Sequence, residues 1–191
     1  MKRVDRWLQQ WRIHQAARWI PEQARLIDVG AFHGELFHFL GSKLHSGFGV
    51  EPLLKTPTKS AVYVIESGFF PEVRPTVGSW DAITMLAVLE HIPDQEHSVI
   101  TDACYELLRP GGRVIITVPS RVVDHILACL KFLHLIDGMS LEEHHGFKPH
   151  HTEHISSEPR FRLVQHSRFQ IGLNHLFVFE KTNKESANID R

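Results

Sequence analysis

Two stretches of this chain carry residue types whose spacing could do chemistry. The first is Leu26-Ile27-Asp28-Val29-Gly30-Ala31-Phe32-His33-Gly34-Glu35-Leu36, where glycines separate a short apolar run from a segment of helical spacing. Glycine there lets the backbone turn sharply and pass close to a ligand. Twenty-one residues beyond Gly30, Glu51 closes the next apolar run. A carboxylate so placed can accept two hydrogen bonds from the hydroxyls of a ribose, whichever nucleotide is bound. The second stretch, Leu141 to His154, holds five histidines and three glutamates in fourteen residues. Imidazole and carboxylate suit zinc or iron, and neutral imidazole is also the side chain best able to take a proton near pH 7.

The first loop discriminates among nucleotides. A dinucleotide fingerprint puts glycine at the first, third and sixth loop positions; here they are Gly30, Phe32 and Glu35. Glu35 also places a negative charge in the first helical turn, where a pyrophosphate would be repelled. S-adenosylmethionine carries no phosphate and its sulfonium is a cation, so a loop bounded by Asp28, Glu35 and Glu51 suits it better. The alternative that these residues leave open is a tight strand-to-helix turn with solvent-exposed acids.

Such a loop needs a scaffold. Short apolar runs at 26–29, 48–51, 61–65, 81–86 and 113–118 predict strands, with helices over 35–43 and 95–108 between them. Near-continuous apolar strands alternating with helices indicate a parallel sheet covered on both faces. Arg109-Pro110-Gly111-Gly112 reads as a tight turn into the fifth strand. Runs at 161–164 and 176–179, flanking a loop with Gly172 and Asn174, predict a C-terminal β-hairpin. Residues 2–19 predict an amphipathic helix with Val4, Trp7, Leu8, Trp11 and Trp19 near one stripe and Lys2, Arg3, Arg6 and Arg12 mostly off it. Residues 184–191 read as a frayed tail.

Composition bounds the function. A chain of 191 residues, 42% hydrophobic and 23% charged, suits one domain, 1–191. Lys plus Arg is 21 against Asp plus Glu 22, a net charge of −1. That balance argues against a nucleic-acid partner, which would call for a basic face. Two cysteines, Cys104 and Cys129, are too few for a disulfide framework and point to a reducing, cytoplasmic setting. No apolar run approaches the ~20 residues of a membrane span, although membrane-surface contact is compatible with the sequence.

Four motifs resemble class I S-adenosylmethionine-dependent methyltransferases of the ubiquinone-type small-molecule branch. They are the loop from Asp28 to Gly34, the acid Glu51, the segment from Trp80 to Asp94, and the run from Leu107 to Pro119. The resemblance spans about Arg25 to Lys181. It implies an α/β fold: a doubly wound, seven-stranded, mostly parallel Rossmann-like sheet with the C-terminal antiparallel hairpin, in an α/β/α sandwich. It also implies S-adenosylmethionine as cofactor and S-adenosylhomocysteine as product. Gly30, Ala31, Phe32 and Gly34 would wrap the methionine and ribose portions. Asp28 would fix that loop and orient the bound amine, Glu51 and the adjoining Pro52 would meet the ribose, and Leu86 and Ala87 would border the methionine amino group. The chain departs from the family in two places. Phe32 stands at the middle glycine, and Ser67-Gly68-Phe69-Phe70 replaces an acidic residue that reads the adenine amino group. Gly68 and Phe69 would then meet the ring through a backbone N–H and an aromatic face.

On the acceptor side, Ala87-Val88-Leu89-Glu90 lacks the Asn/Asp-Pro-Pro-Tyr/Phe signature of amide and adenine N-methylation. This favours a small-molecule acceptor methylated at oxygen. His91, at the carboxyl edge of the sheet, and His144 or His145 are the candidate bases, with a packing role as the alternative for His91. Residues 120–160 read as a lid or substrate insertion whose apolar positions suit a hydrophobic or lipid-linked acceptor, and no metal ligand is assigned. The tryptophans of the 1–20 helix would help form the acceptor pocket, and the protein would be a monomer or homodimer. The rivals are a non-catalytic binding subunit and a metal-dependent activity of the histidine-rich loop.

Overall fold

A computed structural model describes residues 3–76, 78–120 and 160–183. In chain order the elements are α1 (Arg3–Ala17), β1 (Ala24–Val29), α2 (Glu35–Leu40), β2 (Leu44–Glu51), β3 (Thr58–Lys59), β4 (Tyr63–Ser67), β5 (Trp80–Leu86), α3 (His97–Leu107), β6 (Leu108–Pro119), β7 (Phe161–Phe169) and β8 (Asn174–Lys181). They form one sheet of order β3-β4-β2-β1-β5-β6-β8-β7. The run from β4 to β6 is parallel, and β8 and β7 close it as an antiparallel hairpin. Those seven strands are the expected sheet. The eighth, β3, is a two-residue antiparallel edge on β4, too short to announce itself by apolar alternation.

The central strands are apolar because both faces are covered. Helix α3 buries Ile100, Ala103, Cys104 and Leu107 against Ile27, Ile83, Met85, Val114, Ile116 and Phe177. On the other face α1 and α2 bury Ile13, Ala16, Leu36, Phe37 and Leu40 against Leu26, Ile65, Ala82, Ile115 and Val178. Each fully buried aliphatic or aromatic side chain contributes roughly 1.5–3 kcal/mol relative to exposure. After β1 the chain runs to one side of the sheet through β2 and β4, then crosses back to the other through β5 and β6. A crevice therefore opens beyond the carboxyl ends of β1 and β5, where doubly wound folds bind ligands.

Three expectations need correction. The buried positions of α1 are Ile13 and Ala16, with Ile20 buried just past its end, while Trp7 is 58% exposed. The methyl-sized Ala16 lets the C-terminal half of α1 approach the sheet; Trp11 and Trp19 are partly buried against the same cluster, and the exposed Trp7 packs edge to face on Trp11 at 4.9 Å. The Arg109–Gly112 turn does not precede β6 but lies inside it. Leu108 pairs with Trp80 and Arg113 with Ala82, so the extra residues form a bulge. Helix α3 begins at His97 rather than Gln95, because Asp94–Glu96 winds as a 3₁₀ turn. His91 ends a separate 3₁₀ turn, Leu89–His91, and is exposed.

Candidate active site at the carboxyl edge of the sheet

The loop between β1 and α2 is tied to β2 by its own backbone. The Gly30 and Ala31 N–H groups both donate to the Val50 carbonyl, at 2.8 and 3.1 Å. Gly30 has φ of +76°, and a Cβ there would lie 2.5 Å from Val88 Cγ2, so a side chain is excluded by conformation and by space together. Phe32, at the family's middle glycine, adopts φ of +47°, a region where a Cβ is strained by ~1–2 kcal/mol. Its ring is 37% exposed and packs beside His33 with centroids 4.1 Å apart.

Glu51 lies under this loop and is 8% exposed. Its Oε2 accepts from the Phe32 N–H and its Oε1 from the Leu53 N–H, each at 3.0 Å. The carboxylate thus braces the loop from below, and each oxygen still has acceptor capacity for a further donor. Asp28, 5% exposed, has a different partner from the one expected. It does not brace the loop; its Oδ1 accepts from the Thr84 hydroxyl on β5 at 2.6 Å. Burial, with smaller contributions from the Glu35 and Glu51 charges, pushes the Asp28 carboxyl up to about 7 despite the opposing Thr84 hydrogen bond.

Two cavities meet at Gly30. The larger, of about 680 Å³, is walled by Val29, Val50, Pro52, Gly68, Phe69 and His91, with Phe70, Pro71, Ile92, Pro93 and Val99 around them. It is mainly apolar, as a planar base requires. The smaller, of about 70 Å³, is lined by Gln9, Arg12, Ile13, Asp28, Gly30, Phe32, Glu35, Leu36 and Leu86. It sets a guanidinium and two carboxylates around one space, the complement of an amino-acid zwitterion. This donor set fits S-adenosylmethionine: an apolar slot and a charged end share Gly30, with Glu51 buried beneath the loop and lining neither cavity. A diphosphate would meet Asp28, Glu35 and Glu51 instead.

Of the residues expected from sequence, Asp28, Gly30, Phe32 and Leu86 line the smaller pocket, and Gly30, Pro52, Gly68, Phe69 and His91 line the larger. Ala31 is buried behind the loop, Gly34 starts α2 in a left-handed conformation, and Ala87 follows β5 at φ of +59°. The Ala87 N–H donates to the Thr117 carbonyl at 2.9 Å. His144, His145 and the 121–159 part of the insertion lie outside the described residues. Sequence reading missed Gln9, Arg12 and Ile13, the positions by which α1 reaches the pocket, and Thr84, the partner of Asp28. The signal for Thr84 was present: a threonine inside an apolar strand needs a buried polar neighbour. Among the described residues no group of three or more metal-ligating side chains converges, and no helix is long and apolar enough to cross a membrane.

Comparison with known proteins agrees with this geometry. A family model described as a methyltransferase domain matches residues 3–167. A ubiquinone biosynthesis O-methyltransferase of Xanthomonas axonopodis pv. citri is 31% identical over 118 residues, covering 56% of this chain and 47% of that protein. The Pseudomonas putida protein of the same name is 27% identical over 144 residues, covering 68% of this chain and 61% of that protein. The chain thus spans about half the length of the curated relatives it matches. Among solved structures, the Haloferax volcanii complex of the Trm112 methyltransferase activator with a methyltransferase gives a TM-score of 0.71 at 12% identity, covering 92% of this chain and 91% of that one. The magnesium protoporphyrin IX methyltransferase of Synechocystis, solved with S-adenosylhomocysteine bound, gives 0.65 at 14% identity, covering 91% and 84%. The fold, the loop that joins two complementary cavities and the match over residues 3–167 together make this chain a member of the methyltransferase-domain family, of the class I S-adenosylmethionine-dependent type.

Proposed function

We propose that this chain holds S-adenosylmethionine across the two cavities, adenosine in the larger and the methionine end in the smaller, and methylates a small-molecule acceptor at oxygen. The observation that carries the reading is the junction at Gly30, where an apolar cleft and a charged pocket share one wall above a buried acid. When bound, the cofactor supplies a methyl group already activated by positive sulfur. The protein's own task is therefore to align acceptor, methyl and sulfur. Glu51 would accept from the ribose hydroxyls, Phe69 and Gly68 would flank the base, and Arg12 and Asp28 would hold the two charges of the amino-acid end. Pro52, Leu86 and Ala87 would border the ligand, while Ala31, Phe32 and Gly34 shape the loop around it.

The acceptor loses one proton, and the reading gives its removal to one of His91, His144 and His145. The oxygen preference is supported by the O-methyltransferase names of the relatives and by the absence of an N-methylation signature after β5. The acceptor would be small and hydrophobic or lipid-linked, the setting cytoplasmic, and no nucleic-acid partner is invoked. Incubating the chain with methyl-labelled cofactor and a panel of hydroxyl- and amine-bearing compounds tests the proposal. Label should appear on a hydroxyl oxygen, and glutamine at the histidine acting as base should flatten the neutral-pH limb of the rate profile. Transfer to amines alone would contradict the oxygen assignment. Tight S-adenosylhomocysteine binding without transfer to any compound would favour a non-catalytic binding subunit.

A further inference from the structure

We infer that the β7–β8 hairpin carries an acceptor subsite, in which Arg168 and the His166–His175 pair hold a carboxylate on the molecule to be methylated. The subsite deepens the proposed function and rests on its placing of the methyl donor beyond β1 and β5. Sheet register brings the residues together. Leu86 pairs with Thr117 and Thr117 with Leu176, so the next row along the carboxyl edge starts at Ala87 and runs through Val118 and His175 to Arg168. At about 4.8 Å per strand, that row spans roughly 14 Å. Phe177 and Phe179 of β8 face the α3 side of the sheet, and His175 shares their face by alternation. Val88 and Ile92, which wall the larger cavity, pack on the same side. A register shift between Leu163 and Gln165 bulges β7. Because of it His166 pairs with Phe177 and Arg168 with His175, so these two residues, rather than Gln165 and Ser167, stand on that face.

The donors suit a single negative charge. His166 Nε2 and His175 Nδ1 lie 2.9 Å apart, and the His166 ring stacks on Phe177 with centroids 4.2 Å apart. Two neutral imidazoles joined in this way share one N–H between them, and the ring that accepts it keeps its own proton on the outward nitrogen. The pair therefore offers one outward N–H in either arrangement. His175 is buried, and its imidazole is pushed down to about 4, by burial first and then by His166 and Arg168, so it is neutral at pH 7. Arg168 is exposed, and among the described residues no carboxylate pairs with it. Ser120 extends the β6 ladder by donating its N–H to the Leu173 carbonyl at 2.8 Å. It is 6% exposed, and its hydroxyl has no hydrogen-bond partner among the described residues. By alternation from Val118 it belongs to the same face, and a buried hydroxyl calls for a partner. One guanidinium, one imidazole N–H and one hydroxyl match a carboxylate, which accepts at both oxygens. A doubly charged phosphate would meet only one cation.

The test is a titration of the full chain with benzoate, with and without S-adenosylhomocysteine, followed by NMR of the imidazole and guanidinium groups. Benzoate should shift the His166, His175 and Arg168 signals saturably, and benzamide, equal in shape but uncharged, should leave them in place. Arg168→Gln, at an exposed position, should weaken benzoate by about tenfold or more, and Arg168→Lys by less, with the melting temperature unchanged in both. In turnover, hydroxybenzoates should exceed their amides by about tenfold in kcat/KM, the difference lying in KM, and Arg168→Gln should bring that ratio close to one. Where no hydroxybenzoate turns over, the binding titration decides alone. Absent shifts with benzoate, equal binding of benzamide, undiminished binding by Arg168→Gln, or equal methylation of acid and amide would each overturn the inference. Inorganic phosphate displacing benzoate at equal or greater strength would overturn the carboxylate assignment. Benzoate bound by a chain to which S-adenosylhomocysteine does not bind would leave the subsite standing and overturn the cofactor reading instead.

Discussion

Two aspartates on neighbouring central strands meet opposite fates. Asp81 stands at the amino end of β5, where its Oδ2 accepts from the Arg25 N–H at 2.7 Å and its Oδ1 from Arg109 Nε at 2.6 Å. Asp28 stands near the carboxyl end of β1, and it accepts from a neutral hydroxyl, that of Thr84. At the amino edge the acid is matched by donors within the chain, and Arg25 lies over the Trp80 ring at 4.9 Å. At the carboxyl edge the acid faces a pocket beside two more carboxylates. A satisfied acid holds a fold together; an acid left short of charge, lining a cavity, is a place for a ligand.

The comparison can be broken most completely at its hinge. Gly30→Val should lower S-adenosylhomocysteine affinity by roughly two orders of magnitude or more, about 3 kcal/mol, through backbone strain plus the clash with Val88. Because Gly30 walls both cavities, adenosine should lose affinity as well when titrated in the same calorimeter.

Exchanging the two acids sharpens the contrast. Asp28→Asn should weaken S-adenosylhomocysteine by about 1.5–3 kcal/mol while adenosine, which lacks the amino-acid end, binds as before. The sign of its stability effect follows from linkage. The folded-state value, about 7, lies above the ordinary 3.8, so the contribution of Asp28 is fully present below pH 4 and is lost as pH rises through 7. Melting curves should therefore show the Asn variant more stable than wild type at pH 8, with the gap closing towards pH 5. Asp81→Asn should do the reverse, leaving both ligands' affinities unchanged and costing roughly 1–2 kcal/mol in denaturant unfolding, since half-exposed Arg109 adds little.

How far this contrast was legible beforehand depends on sequence separation. The loop from Asp28 to Gly34 and the acid at Glu51 announce themselves because the chemistry is local and glycine marks the turn. The alternation of apolar runs likewise predicted seven strands in the right places. What could not be read were pairings between distant elements. The Asp28–Thr84 contact spans 56 residues, and α1 meets the pocket through Gln9, Arg12 and Ile13 because of how deeply Ala16 seats on the sheet. Of the tryptophans, Trp11 and Trp19 pack on the core as their size suggests, while Trp7 lies past the edge of the surface that could cover it.

Smaller effects separate the cavities from each other. Arg12→Ala should weaken S-adenosylhomocysteine by about 1–2 kcal/mol and leave adenosine untouched, a selective loss that competitive binding with the two ligands would reveal. Phe69→Ala should weaken both by about 0.5–1.5 kcal/mol, the worth of one stacked aromatic face. The ring is 67% exposed in the free protein, so equilibrium unfolding should barely change.

The central claim is that the β1–α2 loop and Glu51 grip a phosphate-free nucleoside carrying an amino-acid tail. Titration of the full chain side by side with S-adenosylhomocysteine and with a nicotinamide dinucleotide tests it most directly. Saturable one-to-one binding of the first at micromolar strength is expected, weakened by Glu51→Ala by about 1–3 kcal/mol, with no heat from the second. Saturable binding of the dinucleotide, with S-adenosylhomocysteine silent, would contradict it.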